Sequence, residues 1–174
     1  FAVTAHAYDH FLDTANIRKK IATILKDIDT HNVRDLQKRG GMVRELLLQA
    51  ELPDDLQDAI KEAYKQMEGR YGKHTDVAVR SSATAEDLPN ASFAGQQETY
   101  LNISGEDAVV ESAQKCIASL FTDRAIVYRV ENGFDHMQVA LAVGIQQMVA
   151  VRSEASGVMF TLDTETGFRN AVII

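Results

Sequence analysis

The sequence has 174 residues, enough to bury a core as one domain or as two closely packed subdomains. Its 45% apolar and 25% charged residues are typical of a soluble globular protein. The net charge of −7 disfavours non-specific nucleic-acid binding, and no apolar run approaches the ~18 residues of a membrane span. The single cysteine, Cys116, can form no internal disulfide. Together with the lack of a signal-peptide pattern, this favours a reducing, cytoplasmic location.

Residues 1–75 have the apolar spacing of amphipathic helices. Thr4 is a candidate N-cap for a short first helix, and the isoleucines between Ile17 and Ile28 mark a second. Residues 33–47 predict a third helix, which we expect the Gly40-Gly41 pair to weaken or break. All of these apolar stripes are explained by core packing.

The pattern changes from helices to strands near residue 75, after a fourth helical stripe that begins at Pro53. Residues 107–130 carry a broad apolar face and predict one long helix. From Val139 to Ile145, apolar residues alternate with small ones, so we expect a central strand covered on both faces of a sheet.

The sequence therefore predicts an α+β fold, with a helical part at residues 1–75 and a sheet-bearing part at residues 76–174. Residues 157–162 and 171–174 have the composition of further strands. The change of pattern between the two parts is the one plausible domain boundary.

Residues 77–103 are the most informative stretch of the chain. A short apolar strand, Val77–Val79, precedes Arg80 and a segment rich in small and hydroxylated residues. The guanidinium group of arginine offers a planar fork of donors to phosphate oxygens. Small residues allow backbone N–H groups to gather into an anion-binding concavity. The pattern indicates a polyphosphate site, and an ordinary polar hairpin loop is the alternative.

Three blocks in order resemble the amino-terminal nucleotide-binding domain of the pyruvate phosphate dikinase group. They are residues 77–103, residues 124–136 with their Arg-Ala-Ile-Val-Tyr-Arg run, and residues 155–168 with Ser-Gly-Val-Met-Phe-Thr. The group includes phosphoenolpyruvate synthases, rifampicin phosphotransferases and glucan dikinases, and the third block is most similar to the synthases. The resemblance covers essentially the whole chain, although residues 1–75 match only in helical pattern.

The resemblance implies the first portion of an ATP-grasp-like nucleotide-binding domain, with ATP and Mg²⁺ as cofactors. In the synthase branch, the parent enzyme makes phosphoenolpyruvate, AMP and phosphate from pyruvate, ATP and water. The β-phosphoryl group of Mg-ATP passes to a phosphohistidine on another domain, so the implied partners are the pyruvate and phosphohistidine domains of the parent chain. The alternatives are another dikinase, of the pyruvate phosphate dikinase or rifampicin phosphotransferase type, and a non-catalytic docking module.

The ends of the sequence predict a fragment of a longer protein. The chain begins at Phe1 without a methionine, and it stops at Ile174 in what reads as a strand cut short. In the resembled family a glycine-rich stretch with a phosphate-binding lysine comes earlier, and further domains follow. We therefore expect this chain alone to be inactive with pyruvate.

The resemblance also implies the site residues. Arg80 is the catalytic candidate, since it would neutralise charge on the transferred phosphoryl group. The implied ATP contacts are Arg80, Ser81, Ser82, Ala83 and Thr84, then Ser92, Phe93, Ala94 and Gly95 of the family's mobile lid, and later Arg124, Gln146 and Met148.

Several of these assignments have alternatives. Arg124 lies on the apolar stripe of the predicted long helix, so it forms either a buried ion pair or a ligand contact. Gln146 is either an adenine-side contact or a polar residue at a strand end. The metal ligands are unknown; Glu86, Asp163 and Glu165 are candidates, although turns explain these carboxylates as well.

Overall fold

The computed structural model describes residues 1–83, 98–149 and 157–174 in full, and the backbone of residues 87–88 and 91–92. The helices are α1 (Ala5–Thr14), α2 (Arg18–Leu25), α3 (Val33–Gln49), α4 (Asp54–Tyr71), α5 (Glu106–Ser119) and α6 (Asp123–Glu131). The strands are β1 (Ala2–Val3), β2 (Val77–Ala83), β3 (Asp87–Leu88), β4 (Ala91–Ser92), β5 (Thr99–Ile103) and β6 (Leu141–Gln147). The predicted α+β class is confirmed. No helix in the described ranges combines the length and apolarity needed to cross a bilayer.

Four strands form one antiparallel sheet in the order β1-β6-β2-β5. The central pair, β2 and β6, is in register from Val77 opposite Gln147 to Ala83 opposite Leu141. β3 and β4 form a separate two-stranded ribbon. β2 and β6 are therefore both interior strands, and pairing with a strand on each side fixes the position of their backbones.

The two faces of this sheet differ in their surroundings. Val79 and Val143 have no exposed surface and belong to the same core as the helices. Alternate residues of a strand point to opposite faces, and on the other face Arg80 and Gln146 are exposed while Gly144 is partly buried. The expectation that β6 is a central strand is confirmed, but on its second face Ala142 and Gly144 are only partly buried and Gln146 is exposed, so the coverage of this face is less complete than expected. Alanine and glycine alternate with its large residues, so this face has little apolar surface that must leave water.

One hydrophobic core joins the two predicted parts of the chain. It includes Tyr8 and Phe11 of α1, Leu47 of α3, and Ile117 with Phe121 around the end of α5. The first strand also crosses the predicted division at residue 75, since β1 pairs with β6.

The predicted N-cap at Thr4 is confirmed, because its hydroxyl oxygen accepts a hydrogen bond from the Ala7 N–H at 3.3 Å. The expected break at Gly40-Gly41 is wrong, and α3 is continuous. A Cβ atom on Gly40 would lie 2.9 Å from Asp123 Oδ1 and 3.1 Å from Ile126 Cδ1. Gly40 therefore allows α3 and α6 to pack closely, which offsets the helix propensity that glycine lacks.

The predicted helix over residues 107–130 is two helices, separated after Ser119. Thr122 is the N-cap of α6 and accepts a hydrogen bond from the Ala125 N–H at 3.3 Å. The apolar spacing continues through the break, so periodicity alone does not reveal that the helix is interrupted. The capping signal of a threonine followed by an aspartate was the sequence feature that could have located it.

The two strands predicted near the end of the chain are also wrong, for within residues 157–174 only Phe160 and Ile173 form an isolated bridge. A turn separates them, in which the Gly167 N–H donates to the Asp163 carbonyl oxygen at 2.8 Å and Gly167 has a φ of +73°. Side chains on both sides of this turn are largely exposed, so no core fixes them in a sheet.

A buried arginine stabilises the junction between α5 and α6. Arg129 has no exposed surface, and its Nη1 donates to the Leu120 carbonyl oxygen at 2.6 Å. Its Nε donates to His136 Nδ1 at 2.9 Å. Burial lowers the pKa of Arg129 to about 10. Burial and the neighbouring Arg129 charge lower the pKa of His136 to about 4, so His136 is a neutral acceptor at pH 7.

We predict that His136 makes the fold sensitive to acid. Between pH 6.5 and about 4 the folded protein keeps His136 neutral while the unfolded chain binds a proton there. The free energy of unfolding should therefore fall as the pH falls through this window, by at most about 1.36 kcal/mol per pH unit from this group. His136→Gln retains an acceptor for Arg129 and removes the titration, so urea unfolding from pH 6.5 to 4.5 should have a shallower pH slope. Equal slopes for the two proteins would contradict this assignment.

Candidate functional site

Arg80 lies in the middle of β2, whereas the sequence placed it at the end of a strand. Its neighbours Ser81, Ser82 and Ala83 also belong to the strand, because each pairs with a residue of β6. Their small, polar composition is typical of a loop, but pairing with β6 decides their conformation. The guanidinium group therefore belongs to a residue whose backbone is paired with a strand on each side.

The surroundings of Arg80 leave its side chain accessible. On its two sides it pairs with Gly144 of β6 and Thr99 of β5. The ion pairs formed among the described residues include neither Arg80 nor Arg124. We use the name open sheet face for the surface formed by Arg80, Ser82, Ala142, Gly144 and Gln146. This surface carries one cation, Arg80, and the residues beside it are small. Such a surface is suited to an anion with an extended shape.

The two serines after Arg80 point to different sides of the sheet. Ser82 is exposed on the open sheet face beside Arg80. Ser81 is directed to the other side, and its hydroxyl donates to the Glu98 carbonyl oxygen at 3.3 Å. The side chain of Ala83 is buried in the core. Of these three predicted contacts, only Ser82 therefore offers a side-chain donor on the same face as Arg80.

Gln146 and Arg80 lie on the same face of the sheet. Gln146 is two residues beyond Gly144, the direct partner of Arg80, and such diagonal neighbours are about 7–8 Å apart. One ligand of nucleotide size can therefore contact both side chains. Met148 follows β6, and its main-chain N–H is already bound to the Asp76 carbonyl oxygen at 2.9 Å.

The sequence had placed Arg124 on the apolar stripe of one long helix. In the structure it does not lie on a buried stripe. It is exposed in the first turn of α6, because the break after α5 changes the helical phase. Its side chain lines a cavity of about 520 Å³, together with Glu98 and Tyr100 near the start of β5. Glu98 and Tyr100 flank Thr99, the partner of Arg80, so their side chains point to the opposite side of β5 from Thr99.

Two other predicted groups have different outcomes. Thr84, Glu86, Phe93, Ala94 and Gly95 lie outside the described residues, and Ser92 is described only by its backbone in β4.

Asp163 closes the turn described above. Its Oδ2 accepts from Thr166 Oγ1 at 2.5 Å and its Oδ1 accepts from the Glu165 N–H at 3.0 Å, and these bonds lower its pKa.

The described part of the chain contains no group of three or more His, Cys, Asp or Glu side chains suited to a metal ion. Cys116 is fully buried, and burial raises the pKa of its thiol to about 12. This agrees with packing in the core, since the thiolate is the nucleophilic form.

Comparison with known proteins assigns the chain to a class of nucleotide-binding domains. All of residues 1–174 match the family described as "Pyruvate phosphate dikinase, AMP/ATP-binding domain". The chain belongs to this family, and the resemblance inferred from the three sequence blocks is confirmed.

Full-length relatives narrow the comparison further. Over its whole length the chain is 58% identical to the phosphoenolpyruvate synthase of Aquifex aeolicus and 55% identical to that of Synechocystis. It is 47% identical to the phosphoenolpyruvate synthase of Escherichia coli. The matched segment covers 20% of the Aquifex protein and 22% of each of the other two. The chain thus spans about a fifth of the length of these relatives.

If the open sheet face binds the phosphates of ATP, the two serines should differ when they are replaced. We predict that Ser82→Ala weakens binding of a non-hydrolysable ATP analogue by roughly 10- to 100-fold, as for loss of a hydrogen bond to a charged group. Ser81→Ala should have little effect, because its hydroxyl is bound to the Glu98 carbonyl oxygen. Titration calorimetry on a full-length enzyme containing this sequence compares them. A larger loss in Ser81→Ala than in Ser82→Ala would contradict the orientation of the site.

Proposed function

We propose that this chain is the first portion of the ATP-grasp-like nucleotide-binding domain of a phosphoenolpyruvate synthase. The observation that carries the proposal is Arg80, an exposed arginine that forms no ion pair with the described residues and lies on an interior strand of the open sheet face. Membership in an AMP/ATP-binding family makes the phosphates of ATP the natural ligand for this cation. The function of the whole enzyme is proposed from the names of its relatives.

The chemistry proposed for Arg80 is electrostatic. In phosphoryl transfer, charge is spread over the oxygens of the transferred group, and catalysis depends on positioning and on stabilising that charge. Arg80 would bind these oxygens through its planar fork, and Ser82 would donate a further hydrogen bond from the same face. Gln146 would contact the adenine side, and Arg124 would approach the phosphates from its cavity. Mg²⁺ would enter with ATP as part of the substrate.

The proposed reaction converts pyruvate, ATP and water into phosphoenolpyruvate, AMP and phosphate. This chain would supply ATP-binding groups, and a phosphohistidine on another domain of the parent chain would receive the β-phosphoryl group. The pyruvate-binding domain would likewise lie outside this chain, in the cytoplasmic parent enzyme. The synthase is preferred to another dikinase because the relatives carry that name at 47–58% identity.

We predict that Arg80→Ala in the full-length enzyme lowers ATP-dependent self-phosphorylation by about 10²- to 10³-fold, equivalent to roughly 2.7–4 kcal/mol, as for loss of one donor to a developing charge. Arg80→Lys should recover only part of the loss, because lysine keeps the charge without the fork. Thermal unfolding of both variants should resemble that of the unaltered enzyme, since the side chain is exposed.

The matched control is Arg34→Ala, which removes an exposed arginine from the first turn of α3. It should leave self-phosphorylation unchanged. Near-normal phosphorylation of the Arg80→Ala enzyme would show that this arginine does not serve phosphoryl transfer.

A further inference from the structure

Helix α3 contacts the start of α6 through one arginine. Arg44 Nη1 donates to the Phe121 carbonyl oxygen at 2.7 Å and to Asp123 Oδ1 at 3.0 Å. One turn earlier on α3, Gly40 allows the close approach of α6 described above. A single guanidinium group therefore connects Phe121, within the break, and Asp123, the first residue of α6.

This connection adjoins α6, the helix that carries Arg124 in its first turn. The three residues between Ser119 and Asp123 are outside both helices, so their conformation sets the direction of α6. Arg129 binds the Leu120 carbonyl oxygen and Arg44 binds that of Phe121, so two of the three carbonyl oxygens at the junction accept from arginines, and that of Thr122 accepts from the Ile126 N–H. Arg124 directly follows the carboxylate that Arg44 binds.

Arg44 also changes the charge of the cavity. Asp123 lines the same cavity as Arg124, and its carboxylate would repel a phosphate group. The ion pair with Arg44 compensates this charge at a site where both side chains are about one-third exposed, with relative exposures of 32% and 34%. Of the other charged side chains that line the cavity, Lys115 pairs with Glu111, and Arg124 and Glu98 form no ion pair with each other or with another described residue.

We propose that Arg44 is a positioning residue for nucleotide binding, which orients Arg124 toward the phosphates and neutralises Asp123 beside it. This inference rests on the proposed function, in particular on contact between Arg124 and the phosphates of ATP. Arg44 acts through Arg124, so its effect should depend on the presence of Arg124.

A matched arginine on the same helix separates this role from general stabilisation. Arg39 pairs with Asp35 at 2.9 Å and donates to the Lys26 carbonyl oxygen at 2.8 Å. Its side chain is 31% exposed, compared with 32% for Arg44. Arg39 therefore has the same types of bond and similar burial, but it contacts the end of α2 rather than α6.

The test is a double-mutant cycle in the full-length enzyme, with the KM for ATP, the KM for pyruvate and the thermal midpoint as measurements. Arg44→Met should raise the KM for ATP by roughly 10-fold or more, as for a misplaced binding group, and leave the KM for pyruvate unchanged. Arg39→Met should lower the thermal midpoint to a similar extent without changing the KM for ATP. Adding Arg44→Met to Arg124→Ala should cause little further loss.

Asp123→Asn provides a second test that does not remove Arg44. Asparagine keeps the shape and the acceptor oxygen but removes the charge, so ATP should bind at least as tightly as before. Weaker ATP binding in Asp123→Asn would overturn the neutralising role of Arg44, and fully additive effects of Arg44→Met and Arg124→Ala would overturn its positioning role. Unchanged KM for ATP in Arg124→Ala would instead remove the proposed phosphate contact on which the inference rests.

Discussion

The antiparallel pairing of β2 with β6 is the constraint on which the candidate site depends. It fixes Arg80 opposite Gly144 on an interior strand, and it turns Val79 and Val143 into the core on the other face. A shift of one residue in this register would bury the guanidinium group and expose the valines, at a high cost in free energy. The packing of the helical core and the exposure of the arginine are therefore consequences of the same register. For this reason we expect Arg80 to keep its position whether or not a nucleotide is bound.

The junction between α5 and α6 is the second element that places a candidate ligand group. Two arginines donate hydrogen bonds to its backbone carbonyl oxygens: Arg129, which is buried, and Arg44, which is partly exposed. Both therefore hold the first turn of α6. Arg129 is buried without a carboxylate partner among the described residues. Its hydrogen bonds to a backbone oxygen and to neutral His136, and the Phe121 ring 5.2 Å away, lessen the cost of burying its charge. Because the same network lowers the pKa of His136, we expect stability to depend on the protonation of this histidine.

Much of the fold could be predicted from the sequence, because helical spacing identified α1 to α4 and the capping residue Thr4 located the start of α1. The break before α6 could not be found from periodicity, since apolar residues continue through it at helical spacing. Gly40 was misjudged because its role lies in contact with another helix, which propensity does not record. For the site, family resemblance selected Arg80, but only the register showed that Ser81 and Ser82 lie on opposite faces. Arg44 was missed altogether, because no local pattern connects it with a residue 79 positions later.

The central claim is that nucleotide phosphates bind on the open sheet face at Arg80. The most direct measurement is a crystal structure of a full-length enzyme containing this sequence with Mg²⁺ and a non-hydrolysable ATP analogue. The account predicts phosphate oxygens within hydrogen-bond distance of the Arg80 guanidinium group, about 2.7–2.9 Å, with the nucleotide extending across Gly144 toward Gln146. A nucleotide bound elsewhere, with Arg80 still exposed to solvent or paired with a carboxylate of the protein, would contradict it.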